Sequence, residues 1–180
     1  MKHPIKAIIA LLLRLYFGYD FLTAGIGKWQ TGFDAKSVSG FLKGGLAQTH
    51  DALLASKGAA AATHANVSDT WGWLISHIFL PNAGIFSVIV KSGEVLIGLG
   101  LILGCFTTLA SFFALAMNFT FLLTGTISTN PQMALGFLVI IAMGAASYEM
   151  GLDRFFMKKL IAQCPRLGKG WLRTPFPIEQ

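Results

Sequence analysis

The sequence is poor in charged residues. They make up 12% of its 180 residues, whereas apolar residues make up 54%, and the mean hydropathy is +0.63. A soluble domain of ordinary composition carries about 25% charged residues, so that class of protein is excluded. The length predicts one domain spanning residues 1–180.

Cysteine and histidine are also scarce, and their positions exclude several kinds of site. The two cysteines, Cys105 and Cys164, are too few for a disulfide framework and lack the spacing of a metal site. The four histidines lie outside the long apolar segments, so a haem held between membrane helices lacks its usual ligand. No phosphate-binding loop and no zinc-protease motif occurs. The sequence therefore indicates no metal, haem or nucleotide.

Long apolar segments are abundant instead. Four of them cover residues 5–26, 83–104, 107–125 and 133–152, and each is close to the roughly 20 residues that cross a bilayer core. Short connections make neighbouring helices antiparallel. The predicted fold class is therefore all-α: a polytopic membrane protein whose four transmembrane helices form an antiparallel bundle in contact with the lipid bilayer.

The segment 29–82 is predicted to be a long outward-facing loop between the first two membrane helices. Within it, Asp34 is in position to cap a short amphipathic helix whose apolar side carries Val38, Phe41, Leu42 and Leu46. Residues 55–70 are rich in alanine and small polar residues, and we expect a loosely ordered linker there.

The net charge of +6 is concentrated at the two ends of the chain. Lys2 and Lys6 precede the first apolar segment, and a basic tail, residues 153–180, follows the last one. Lysine and arginine in short flanks set the orientation of membrane helices, so both termini are predicted to be cytoplasmic. A nucleic-acid surface is the weaker interpretation of this charge, and we expect no nucleic-acid partner.

Some polar side chains lie inside the apolar segments, where burial is costly unless they are paired or functional. They are Arg14, Asp20, Lys91, Glu94 and Asn118. Counting about 1.5 Å per residue from the inner boundary places Arg14 level with Glu94 and Asp20 level with Lys91. We therefore expect two ion pairs, with Asn118 beside the first. Two interpretations stay open: pins that fix helix register, or a polar site for a headgroup, a proton or a small anion.

Two segments carry a family resemblance. Residues 13–29, LRLYFGYDFLTAGIGKW, contain an arginine, a glycine and a final small-Gly-x-x-Lys pattern, and residues 93–104 read GEVLIGLGLILG. Both resemble signatures of the DoxX family. Asn130-Pro131 and the later Gly151-Leu152-Asp153-Arg154 look like the family's last helix. By this resemblance Arg14, Lys28 and Glu94 correspond to its recurring polar positions, which are not established catalytic residues.

The resemblance implies a four-helix bundle in the cytoplasmic membrane of a bacterium or archaeon. It also implies quinone-coupled redox chemistry, because a DoxD-type relative is a subunit of thiosulfate:quinone oxidoreductase. We therefore expect a membrane subunit of a quinone-linked oxidoreductase, with a quinone as cofactor and a redox subunit or a second copy of the chain as partner. The alternative is a non-catalytic membrane protein that acts as a small-solute transporter, a channel or an assembly partner.

Overall fold

The computed structural model describes residues 4–147 and 149–155 of the chain. Within these ranges the regular structure is helical, without a β-strand. The helices are α1 (Pro4–Gln30), α2 (Ala35–Leu46), α3 (His50–Lys57), α4 (Ala59–Ala62), α5 (Asp69–Leu74), α6 (Ala83–Leu103), α7 (Thr107–Leu123) and α8 (Asn130–Ala142). A π-helical turn, Ile75–Phe79, continues α5, and a 3₁₀ turn, Gly144–Ser147, follows α8. Cys164 and the tail beyond Phe155 lie outside the described residues.

Two of the helices, α1 and α6, are long and apolar enough to cross a membrane. Helices α7 and α8 are also apolar but shorter, with 17 and 13 residues. Large apolar side chains stay exposed on all four helices, for example Leu12, Leu96, Phe112 and Leu135. Exposed apolar faces of this extent are unusual in a soluble monomer and suit contact with lipid.

The first three predicted segments each coincide with one helix, whereas the fourth, 133–152, does not. Helix α8 ends at Ala142, and Gly144 follows with a φ of +52°, which side-chain-bearing residues rarely adopt. Thirteen residues span only about 20 Å at 1.5 Å per residue, less than the roughly 30 Å hydrocarbon core. The apolar run therefore continues beyond α8 without continuing its helix.

The segment between α1 and α6, predicted as a long loop, is largely helical. Asp34 caps α2 as predicted, because its Oδ1 accepts a hydrogen bond of 3.0 Å from the Ser37 amide, and Val38 and Leu42 are buried. Residues 55–70 contain the end of α3 and the whole of α4 rather than a loose linker. Alanine has the highest helix propensity, and Gly58, with a φ of +86°, separates the two helices.

The chain divides into two compact units. Among the described residues, the first comprises 4–24, 94–116, 132–147 and 149–155. The second comprises Gly25–Gly93 and Met117–Pro131. Helices α1, α6, α7 and α8 each contribute residues to both.

Helix α1 packs closely against α8 and α6 in the first unit. The Phe137 ring lies 5.0 Å from the Phe17 ring and 5.5 Å from the Phe21 ring, between centroids. A Cβ atom at Gly136 would lie 2.1 Å from the Phe17 ring, and one at Gly98 would lie 2.7 Å from Leu22 Cβ. Glycine at these two positions therefore allows the helix backbones to approach.

The second unit has a separate apolar core. It is formed by Val38, Leu42, Val67, Ile75 and Ala83, and Trp71 packs against it. The indole N–H of Trp71 donates to Thr124 Oγ1 at 3.1 Å. The helices of the segment between α1 and α6 thus form an organised part of the protein.

Candidate functional site

Arg14 is the most deeply buried charged residue predicted as functional, with 1% of its surface exposed. Its Nε donates to the Leu101 carbonyl at 3.0 Å, and its Nη1 donates to the Ser147 carbonyl at 2.8 Å. Leu101 lies in the last turn of α6, where carbonyls lack a helical N–H partner. A cation is also favoured at this end of a helix by the helix dipole. Arg14 therefore connects α1 to the end of α6 and to the turn after α8.

The turn between α6 and α7 closes tightly around the guanidinium group of Arg14. Gly104, with a φ of +65°, forms this turn, and a Cβ atom there would lie 2.1 Å from Arg14 Nη2. A Cβ atom at Gly151 would lie 2.8 Å from the Gly104 carbonyl oxygen. Nη2 is buried and has no hydrogen-bond partner among the described residues. Two glycines thus leave just enough room for the guanidinium group.

Asp153 holds the other side of the same turn. Its buried carboxylate accepts hydrogen bonds from the amides of Phe106 and Thr107, the latter at 2.8 Å, at the start of α7. An anion is favoured at a helix N-terminus. The Asp153 amide also donates to the Gly104 carbonyl at 2.7 Å. Arg14 and Asp153, which we call the charge clamp, thus stabilise the two helix ends that meet at one turn.

Arg14 donates to these carbonyls rather than to its predicted partner, Glu94, so the predicted pairing is wrong. A Cβ atom at Gly18 would lie 3.1 Å from the Gly98 carbonyl oxygen, and this contact fixes the register of α1 against α6. Glu94, buried at 4% exposure, lies about two turns, or roughly 10 Å, along α6 from Leu101. The prediction took Gly104 as level with Lys6, whereas Gly104 lies beside Arg14.

Lys91, the predicted partner of Asp20, instead contacts the end of α1 and the chain that follows it. Its Nζ donates to the Phe33 carbonyl at 3.3 Å and lies 4.1 Å from the centroid of the Trp29 ring. A cation over an indole ring is an attractive arrangement. The predicted polar residues are therefore divided: Arg14, Asp20 and Glu94 belong to the first unit, and Lys91 and Asn118 to the second.

An apolar cleft of about 350 Å³ lies along α6 and α7 in the first unit. Its wall includes Leu99, Gly100, Leu103 and Leu109, so it shares the last turn of α6 with the carbonyl that Arg14 binds. Cys105 also lines the cleft. Burial, and then the nearby Asp153 carboxylate, raise the pKa of the Cys105 thiol, which favours the unreactive protonated form.

Comparison with known protein families finds a match for this chain. The model of the DoxX family matches residues 9–128. The chain belongs to the DoxX family. It is accordingly an integral membrane protein, in agreement with the apolar faces of its helices. No curated protein and no solved structure matches this DoxX chain.

The DoxX match begins within α1, includes Arg14, Glu94 and the whole of α2 to α7, and ends before α8. Asp153 therefore lies outside the matched residues, although it holds the α6–α7 turn within them. Sequence reasoning placed Asp153 in the last-helix pattern but gave it no part in this turn, because only the folded chain shows that the two segments meet.

The structure of this DoxX protein also brings together a group that the sequence did not indicate. His50, Asp51 and Asp69 each present a donor atom, and these three atoms all lie within 4.8 Å of one another. The group escaped notice because its members lie in two separate segments without a metal-binding spacing. One sequence pattern could have indicated it: Thr49 and Ser68 are each followed by a helix with an acidic residue in its first turn.

Proposed function

We propose that this protein is the membrane subunit of a quinone-linked oxidoreductase in a prokaryotic cytoplasmic membrane. In this proposal α7, and α8 together with the apolar run up to residue 152, complete a four-helix membrane bundle with α1 and α6, and both termini are cytoplasmic. The lysines and arginines concentrated at the ends of the sequence support that orientation. A partner subunit delivers the electrons, and thiosulfate is the donor class that the DoxD-type resemblance implies.

The observation that carries the proposal is the buried carboxyl group of Glu94. It lies at 4% exposure on α6, one of the two helices that are long and apolar enough to cross a membrane. Ionisable groups within membrane helices are rare and by default indicate a functional site, so its presence points to a use. Reduction of a quinone requires protons, and we assign proton uptake to Glu94.

The apolar cleft supports the proposal as a site for the body of an isoprenoid quinone. Its volume of about 350 Å³ lies within the range of about 300–1,000 Å³ that is usual for small-molecule sites. Apart from Cys105, its walls are apolar. A bound quinone would be the electron acceptor. Arg14 positions the wall of the cleft, because it holds the Leu101 carbonyl in the same helical turn as Gly100 and Leu103.

The proposal is tested by extracting lipid-soluble ligands from protein purified in mild detergent. Leu103→Trp adds bulk to the cleft, whereas Phe112→Trp places the same side chain at an exposed position outside the cleft lining. We expect about one quinone per chain in the wild type, a loss of at least fivefold in Leu103→Trp, and little change in Phe112→Trp. Gel filtration and circular dichroism confirm that each variant is folded.

Glu94→Gln separates binding from proton uptake. We expect this variant to retain quinone and to lose quinone reduction when the protein is supplied with electrons. Folded wild-type protein without quinone, or equal quinone in the two tryptophan variants, would overturn the binding site. Unchanged turnover in Glu94→Gln would overturn the role of Glu94.

The charge clamp favours a second candidate, a non-catalytic membrane protein. Both Arg14 and Asp153 form hydrogen bonds at helix ends. Such bonds are typical of residues that fix how helices are arranged relative to one another. Such a protein is a small-solute transporter, a channel or an assembly partner. Folded, quinone-free protein that passes a small solute across liposomes supports the transporter.

A further inference from the structure

Two segments of the second unit are held side by side. Thr49 and Val67 form a parallel β-bridge, and the Val67 amide donates to the Gln48 carbonyl at 3.3 Å. The side chains add a second connection, because Asn66 Nδ2 donates to Gln48 Oε1 at 3.4 Å. The residues that follow Thr49 and Val67 therefore start from fixed, adjacent positions.

Each segment enters a helix directly after this bridge. Thr49 caps α3 by accepting a hydrogen bond from the Ala52 amide, and Ser68 caps α5 by accepting one from the Trp71 amide. The two helices consequently begin next to each other. Their first turns carry acidic side chains, Asp51 on α3 and Asp69 on α5.

His50, Asp51 and Asp69 meet where these helices begin. The imidazole Nδ1 of His50 lies 3.2 Å from Asp51 Oδ1, and the donor atoms of all three residues lie within 4.8 Å of one another. Two carboxylates held this close repel each other, and a cation between them removes the repulsion. One imidazole nitrogen and two carboxylate oxygens form a donor set that zinc accepts.

We propose that His50, Asp51 and Asp69 form a binding site for a divalent cation of the zinc class. Zinc bonds of about 2.0–2.2 Å in tetrahedral geometry place ligand atoms roughly 3.4 Å apart. Side-chain movements of about 1 Å therefore bring the three donor atoms into bonding distance of one ion. Three protein ligands leave a fourth position for water. The bound ion joins the start of α3 to the start of α5, and this role is independent of quinone binding.

The experiment uses the full chain in detergent, without an affinity tag, after treatment with a chelator. The probes are Zn²⁺ and Mg²⁺, followed by elemental analysis and isothermal titration calorimetry. We expect about one Zn²⁺ per chain, at least tenfold weaker binding in His50→Gln and in Asp69→Asn, and unchanged binding in the control His64→Gln. His64 is an exposed histidine of the same unit and does not belong to the group.

Three results would overturn the site. They are the absence of stoichiometric zinc, zinc binding that both variants retain, and a loss of equal size in His64→Gln. Wild-type affinity for Mg²⁺ equal to that for Zn²⁺ would also overturn it, because Mg²⁺ prefers oxygen ligands and the imidazole would then give no selectivity for zinc. His50 and Asp69 lie on different helices, so failure of one variant to fold leaves the other as the test.

Discussion

Replacing Arg14 with glutamine removes the connection between α1, the end of α6 and the turn after α8. The guanidinium group makes two hydrogen bonds, to the carbonyls of Leu101 and Ser147. Hydrogen bonds to a charged group contribute about 1.5–3 kcal/mol each, so we expect Arg14→Gln to lower the free energy of unfolding by roughly 3–6 kcal/mol. At about 2–4 °C per kcal/mol for a chain of this size, the melting temperature falls by roughly 10 °C.

The assay is thermal unfolding in detergent, followed by circular dichroism. Arg14→Lys keeps the charge but replaces a fork of donors by one ammonium group, so we expect an intermediate melting temperature. Lys6→Gln is the matched control, because it removes the same charge from an exposed position on the same helix. The reasoning is refuted if Arg14→Gln melts within 2 °C of the wild type, or if Lys6→Gln destabilises the protein equally.

Two further predictions concern a turn and a helix cap. Gly104→Ala should lower the free energy of unfolding by about 2–4 kcal/mol, because the new methyl group meets Arg14 and the φ of +65° is unfavourable. The control Gly40→Ala, where a Cβ atom meets nothing within 4 Å, should instead raise the free energy of unfolding by about 0.5–1 kcal/mol. Urea unfolding measures both changes. Hydrogen bonds from the Ser37 amide and then the Ser37 hydroxyl hold the pKa of Asp34 below its usual value. The stabilisation of the folded protein by this cap is therefore complete above the unfolded-state pKa of about 4. It is lost as pH falls through the lower pKa that Asp34 has in the folded protein. The difference in melting temperature between the wild type and Asp34→Ala should therefore shrink on acidification, and a constant difference would contradict this role.

Much of the helical structure could be predicted from the sequence. Continuous apolar runs indicated α1, α6 and α7, and a cap residue followed by a periodic apolar pattern indicated α2. These features are local, so one segment carries the whole signal. Helix α8 was overestimated, because the apolar character continues beyond Ala142 while the backbone of Gly144 turns away from the helix.

The candidate site was harder to predict, because its geometry depends on how distant segments align. Burial of Arg14 and Glu94 followed from their apolar surroundings and is observed. Their mutual pairing did not follow, since the contact of Gly18 with Gly98 shifts α1 by about two turns from the assumed register. The partners that Arg14 does have are main-chain carbonyls, which every residue carries and which no sequence pattern distinguishes.

The charge clamp has a consequence for how the protein is made. During translation the turn between α6 and α7 leaves the ribosome with Arg14 already synthesised and Asp153 still to come. Until then the amides of Phe106 and Thr107 lack the carboxylate that they bind in the finished protein. The α6–α7 hairpin can therefore form early but is completed only late, so a ribosome stalled before Asp153 leaves the hairpin unfinished.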